Sequence, residues 1–350
     1  MDDYPLTGIL VSNRKNKKRI LKLYQRYHNL TLRLYAFTSA DILWKEQQIV
    51  GLYLIRGKWK KNKFPFPHAV YNQCYNKEKT KTIRRLTNII GSSKCFNNIN
   101  WFNKWKVYNL LDMSILKGYI PDTFLLNDVN VSELLKKYKL VFIKPSYGYK
   151  GKSVYRVELK ENGDVHISLH SLAPRFICRK NEDIQQKLDE ILCGKSFIVQ
   201  KGVESSQIDH HYYDIRVLVQ KNISGEWAVS TMVCRVANEL YFNTSAYESI
   251  YDAEEIIARL FPLKKMKEIV LQSIKEISVN AAQVLEAHNG MMGELSVDFV
   301  LDKEMKLWII EINGKPQKSI YKHIKNFKHV QLIYSRPMEY AYYLSQSTNF

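Results

Sequence analysis

Two apolar, strand-like runs near the C-terminus carry oxygen-bearing side chains, and this feature restricts the fold more than any other. In SVDFVLDKEMKLWIIEIN, residues 296–313, a turn over 302–305 is expected to join two strands. Side chains alternate along a strand, so Glu311 and Asn313 are expected to share a face with Ile309, leaving Trp308, Ile310 and Ile312 on the other. With an even number of loop residues, Asp298 falls opposite Ile309 and diagonal to Glu311, with backbones ~7–8 Å apart on one face. An odd loop would send Asp298 to the wrong side. Two carboxylates this close repel unless a cation lies between them. Oxygen-only donors select a hard ion, Mg²⁺ or Mn²⁺, whose shell is completed by water and phosphate oxygens. The alternative is an amphipathic hairpin with a solvated acidic face.

A second segment suggests the partner of such an ion. The buried strand LVFIKP ends in Lys144 and enters the turn SYGYKGKS. Gly148 and Gly151 let the backbone approach phosphate oxygens closely, and Lys150 or Lys152 can add charge, although a plain turn has the same composition. The excess of 53 Lys and Arg over 34 Asp and Glu, a formal +19, favours anionic partners without choosing among them. The clusters RKNKKR and KWKKNK could serve nucleic acid, but no nucleic-acid motif accompanies them and charge runs usually form solvated faces. Five scattered cysteines without CxxC spacing read as buried thiols. Apolar runs are far shorter than the ~20 residues a membrane helix needs, and the acidic opening MDDYPLTGIL is unlike a leader, so a cytoplasmic protein is expected.

Along the chain, residues 1–100 read as a small α/β region, with strands at TGILVS and LTLRLYAF around the helix KKRILKLYQRYH. The stretch RGKWKKNKFPFPHAVYNQC, with two prolines, is expected to be irregular. A helix capped by Asn103 opens residues 101–199, followed by the helix SELLKKY, the lysine strand and the hairpin VYRVEL–DVHISLH. Residues 200–350 hold the strand pair YDIRVLVQK and WAVSTMVCRVA, a long helix over 264–288, the acidic hairpin and a closing helix RPMEYAYYLSQ. Strand pairs interspersed with helices make the fold class α+β, a mixed α/β architecture.

The order of lysine strand, glycine loop, FIVQKGV strand, DIRVLV and D(x12)ExN resembles the ATP-grasp fold from about residue 103 to the C-terminus. KWKVYNLL, FIKPSYGYKGKSVYRV, RVA and RPMEYAYYL are most similar to the YheC/YheD group, associated with spore coats. The resemblance implies a preceding α/β domain over 1–100 and two ATP-grasp subdomains, 101–199 and 200–350. It implies ATP and one or two magnesium ions, with Asp298, Glu311 and Asn313 as metal ligands. The implied nucleotide contacts are Lys144, Gly148, Lys150, Gly151 and Ser153 from the strand and loop, Gln200, Lys201 and Val203 from the hinge, and Asp214 toward the ribose. Arg216, Arg235 and Asn243 would face the γ-phosphate or the acceptor. Three positions depart from the family pattern. Ser153 stands where a glycine is common, Tyr108 stands where a second phosphate lysine is usual, leaving Lys104 and Lys106 as substitutes, and TSAYES after Asn243 lacks a glycine pair. The implied reaction joins a small-molecule or peptide carboxylate to an amine through an acyl phosphate. The alternatives are a phosphotransferase and a non-catalytic coat protein on the same fold.

Overall fold

The computed structural model describes residues 4–74, 80–148, 151–192, 196–324 and 327–346. Three sheets organise them. In the first, Arg33–Phe37, Leu6–Leu10, Ala69–Asn72 and Cys95–Phe96 run parallel, flanked on one side by Gln48–Ile55 and Ile42–Leu43. Parallel neighbours need a crossover, and the helix Asn16–Tyr27 supplies one, burying Leu21 and Tyr24 at helical spacing. The segment expected to be irregular contains the strand Lys58–Pro65, which pairs antiparallel with Gln48–Ile55. Periodicity could not reveal this strand because it is an outer edge with mostly exposed residues. Lysines along an edge discourage further pairing, and Pro65 sits at its end.

The second sheet is antiparallel throughout, ordered Pro174–Cys178, Val165–Leu169, Tyr155–Leu159, Leu140–Pro145, Phe197–Lys201 and Thr123–Leu125. Period-two alternation decides what each face does. Val141, Ile143, Val157 and Val199 form a core with Leu135 and Leu188 of the helices Val131–Tyr138 and Ile184–Ile191. Phe142, Lys144, Arg156 and Gln200 face the opposite way, into a cleft.

The third sheet is ordered Tyr247–Asp252, Trp227–Ala237, His211–Lys221, Glu294–Leu301 and Leu307–Asn313. One face packs Val217, Cys234, Val297 and Phe299 on the long helix Lys264–Asn289. The other face packs Leu218 and Val233 against the closing helix Val330–Gln346 and the N-terminal region. That closing helix contains Pro337, which cannot donate to the carbonyl four residues earlier. Gln220 Nε2 donates to this Ile333 carbonyl instead, at 3.0 Å. The four described cysteines are buried free thiols; Cys193 lies outside the described residues. Among the described residues no helix is long and apolar enough to cross a membrane.

Candidate nucleotide-binding cleft

The acidic hairpin reaches its geometry by a route different from the expected one. Leu301 pairs with Leu307, so the loop between them is odd, five residues over 302–306. By regular alternation that register would turn Glu311 into the core. A bulge intervenes: Phe299 pairs with Ile309, but Asp298 pairs with Glu311, and Ile310 is the extra residue. Leu307, Ile309 and Ile312 therefore enter the core, while Glu311 and Asn313 share the other face with Trp308. The expected face-mates are reversed in the case of Ile309 and Trp308. The two carboxylates oppose each other directly rather than diagonally, and the freed Ile310 carbonyl points toward Lys144 Nζ at 3.5 Å.

These carboxylates already have cations beside them. Arg216, cross-strand from Asp298, holds both of its oxygens, Nε to Oδ1 at 2.7 Å and Nη2 to Oδ2 at 2.5 Å. Arg235 lies 3.2 Å from the same Oδ2 and forms a bidentate pair with Asp214. Lys104 Nζ is 2.8 Å from Glu311 Oε1. Burial would raise the Glu311 pKa, but Lys104, Lys144 and Arg216 outweigh it and hold the carboxyl below its ordinary range. Asp214, expected at the ribose, lines the cleft and is bonded to Arg235 and to Thr244 Oγ1 at 2.5 Å.

The opposite wall is the lysine strand. Lys144 Nζ donates to Gln200 Oε1 at 2.7 Å, and Gln200 Nε2 donates to Thr123 Oγ1 at 3.1 Å, so the hinge amide is fixed with its oxygen toward the lysine. Lys104 is placed by the Asn103 cap, whose side chain accepts from the Lys106 backbone N–H, and its own N–H donates to the Ser146 carbonyl at 2.8 Å. Lys104 lines the cleft; Lys106 is exposed and does not. The glycine loop is fastened by Asn243, whose Nδ2 donates to the Gly151 carbonyl at 3.2 Å while its Oδ1 caps the Thr244–Ala246 turn. Gly151 has φ +62°, and a Cβ there would collide with Asn243. Ser153 adopts φ 58°, a conformation glycine takes without strain. Gly148, Lys201 and Val203 line the cleft, Asn313 lies one row behind it beside Ser296, and Lys150 is outside the described residues. Sequence reasoning missed Arg156 and Glu158, an ion pair at 2.7 Å that also lines the cleft; charges alternating along VYRVEL were its signal.

The cleft encloses about 640 Å³ between the second and third sheets, within the size range of small-molecule sites. Three carboxylates of its lining, Asp214, Asp298 and Glu311, stand with three lining cations, Lys104, Lys144 and Arg235, and Arg216 is paired with Asp298. Such a set suits a polyphosphate. Among the described residues no group of three His, Cys, Asp or Glu could hold a metal by itself. Asp298 and Glu311 nevertheless fit magnesium arriving with phosphate oxygens, being hard donors on adjacent strands whose present cations a polyanion can draw away.

Lys144 makes the site pH-sensitive. Burial lowers its pKa to about 8, against the raising effect of Glu311. Below that value the ammonium is charged and available to phosphate; above it, binding must first recover a proton. Nucleotide affinity is expected to fall about tenfold per pH unit above 8, and the slope to vanish in Lys144→Met. Calorimetric titration with MgADP from pH 7 to 9.5 checks this; an identical slope in the variant would assign the effect elsewhere.

Three sheets with a cleft between a lysine strand and an acidic hairpin define the ATP-grasp class of proteins. A family model described as YheC/D like ATP-grasp matches residues 92–344, and the chain belongs to that family. It is 27% identical over 323 residues to the endospore coat-associated protein YheD of Bacillus subtilis (strain 168), covering 89% of this chain and 70% of that protein. To YheC of the same organism it is 23% identical over 338 residues, covering 92% and 91%. Among solved structures, the ATP-grasp ligase PsnB, complexed with minimal precursor, Mg and ADP, superposes with a TM-score of 0.56 at 13% identity, covering 96% of this chain and 98% of that one. D-alanyl-alanine synthetase A from Vibrio cholerae gives 0.50 at 13% identity, covering 97% and 99%. These likenesses concern the fold.

Proposed function

We propose that this protein is an ATP- and magnesium-dependent ligase that joins a carboxylate to an amine through an acyl phosphate. The observation carrying this reading is the convergence in the cleft of Lys104, Lys144 and Arg235 with Asp298 and Glu311, with Arg216 paired to Asp298. Lys144 and Lys104 hold the phosphates, and the hinge at Gln200, Lys201 and Val203 holds the base. Magnesium bound at Asp298 and Glu311 supplies neutralisation of phosphate charge. An acceptor carboxylate oxygen attacks the γ-phosphorus, the bond to the bridging oxygen breaks with its electrons, and ADP leaves. An amine then attacks the acyl carbon, and phosphate departs as the amide forms. Arg216 and Arg235, released from Asp298 by phosphate, steady the acceptor and the oxyanion. The loop fastened by Asn243 keeps water from the acyl phosphate.

Hydroxylamine intercepts acyl phosphates. Protein, MgATP, hydroxylamine and a panel of acids and acid-rich peptides are expected to yield a hydroxamate with wild type, and at least a hundredfold less with Lys144→Ala (about 3 kcal/mol). A stable phosphorylated product with no requirement for an amine would make the protein a phosphotransferase instead. Intact nucleotide binding with no ADP release across the panel would favour a non-catalytic role. Association with an endospore coat is proposed from the names of the two relatives; co-fractionation with purified spores tests it.

A further inference from the structure

Asn243, which fastens the glycine loop at Gly151, is itself held by a residue that does not line the cleft, His170. The Asn243 carboxamide has one orientation that satisfies its neighbours. The Ser245 backbone N–H donates to Oδ1 at 2.9 Å, so the oxygen faces the Thr244–Ala246 turn and the nitrogen faces the loop. Nδ2 carries two hydrogens. One meets the Gly151 carbonyl at 3.2 Å, and the other is left for His170 Nδ1, 2.9 Å away. An amide nitrogen does not accept, so Nδ1 is the acceptor and the imidazole is neutral, with its proton on Nε2. A carboxamide turned the other way would set its oxygen against the Gly151 carbonyl oxygen and its nitrogen against the Ser245 N–H.

The backbone places His170 for this contact. The residue follows the strand Val165–Leu169 of the second sheet with φ 69°, a left-handed conformation that most side chains avoid and that His, Asn and Asp adopt more readily. Its carbonyl accepts the Phe242 N–H at 3.1 Å and the Asn243 N–H at 3.4 Å. Leu172 N–H donates to the Leu240 carbonyl at 2.7 Å, and Ser171 forms a bridge with Tyr241. The segment that receives these bonds joins Trp227–Ala237 to Tyr247–Asp252, both in the third sheet. His170 therefore links the two sheets that wall the cleft, through its carbonyl and through its ring, and both links reach Asn243. Asn243 is 8% exposed, so an amide hydrogen deprived of the ring would find little water to replace it.

We propose that His170 is a positioning residue for nucleotide binding: as a neutral acceptor at Nδ1 it orients the Asn243 carboxamide, which in turn holds Gly151 at the cleft. This rests on the nucleotide reading of the cleft and adds a residue that the motifs do not predict.

The test uses the full chain. The ring nitrogen NMR signals of His170 in the free protein are expected to show a proton on Nε2 and none on Nδ1; a proton on Nδ1 would overturn the proposal without any substitution. His170→Leu removes the acceptor. His170→Asn puts a carboxamide oxygen at the same distance along the side chain as Nδ1, on a backbone conformation that asparagine tolerates. MgADP affinity is expected to fall about tenfold in His170→Leu and to stay within about twofold of wild type in His170→Asn. In an Asn243→Ala background His170→Leu is expected to cost nothing more, since the ring acts through that amide. Wild-type affinity in His170→Leu, a loss that His170→Asn does not restore, or an equal further loss on top of Asn243→Ala would overturn the assignment while leaving the nucleotide reading intact. If wild type binds no MgADP, both readings fall.

Discussion

Asp298→Asn is expected to lower thermal stability by about 10 °C and to abolish magnesium-dependent nucleotide binding together, because under the proposed function one carboxylate performs both tasks. Asp298 is 2% exposed and receives Arg216 through two hydrogen bonds and Arg235 through a third. Removing one member of a buried charge cluster costs about 3–5 kcal/mol, chiefly because the remaining charges stay buried without compensation. For a chain of this size each kcal/mol moves the melting point by about 2–4 °C. Glu311→Gln separates the two tasks. Its partner Lys104 is partly solvated, with 16% and 25% of the two side chains exposed, so the stability cost is expected to be smaller than that of Asp298→Asn while MgADP binding should still be lost. Melting curves and Mn²⁺–ADP titrations on the two variants check the argument. An Asp298→Asn protein that melts and binds like wild type would remove Asp298 from both roles.

Lys318→Met is expected to destabilise the protein by about 3–5 kcal/mol although it lies outside the cleft. Lys318 Nζ sits 2.5 Å from Glu294 Oε2, both side chains are more than nine-tenths buried, and Tyr71 Oη donates to the other carboxylate oxygen at 2.5 Å. The lysine also lies 3.2 Å from Tyr24 Oη, and Gln220 Nε2 donates to Glu294 at 3.0 Å. The cluster joins the N-terminal region, the third sheet and the turn that follows the acidic strand. It therefore sets where the exit of that strand sits against the first sheet. Lys318→Met leaves a buried carboxylate without its cation, whereas the double variant Lys318→Met/Glu294→Met removes both charges. The double variant should be more stable than either single one, though short of wild type because Tyr71 and Gln220 lose an acceptor. Urea denaturation of all four proteins checks the ordering. Additive losses would show that the two charges are not coupled.

The helix at Asn103, the lysine strand, the glycine loop and the paired strands were legible because each is local: a cap, a period of two, a turn residue. The lysine-rich strand 58–65 was not, since an outer strand owes its existence to the neighbour it pairs with rather than to buried residues of its own. The charged residues of the cleft were mostly identifiable by type and interval, but their partners were not. Asp214 bound to Arg235, Asp298 to Arg216 and Glu311 to Lys104 are contacts between residues distant in the chain.

The sequence alone determined which chemistry could be present: hard oxygen donors on a hairpin, a lysine at the end of a buried strand and glycines that let a backbone close on phosphate. Only the tertiary structure decided how those parts face one another. An odd turn would have turned Glu311 away from Asp298, and the bulge at Ile310 brought it back because the apolar face of the sheet had to bury Ile309 and Ile312 against the long helix. The physical reason is that alternation reports only relative orientation along one strand, whereas register, bulges and ion-pair partners follow from what the whole fold buries.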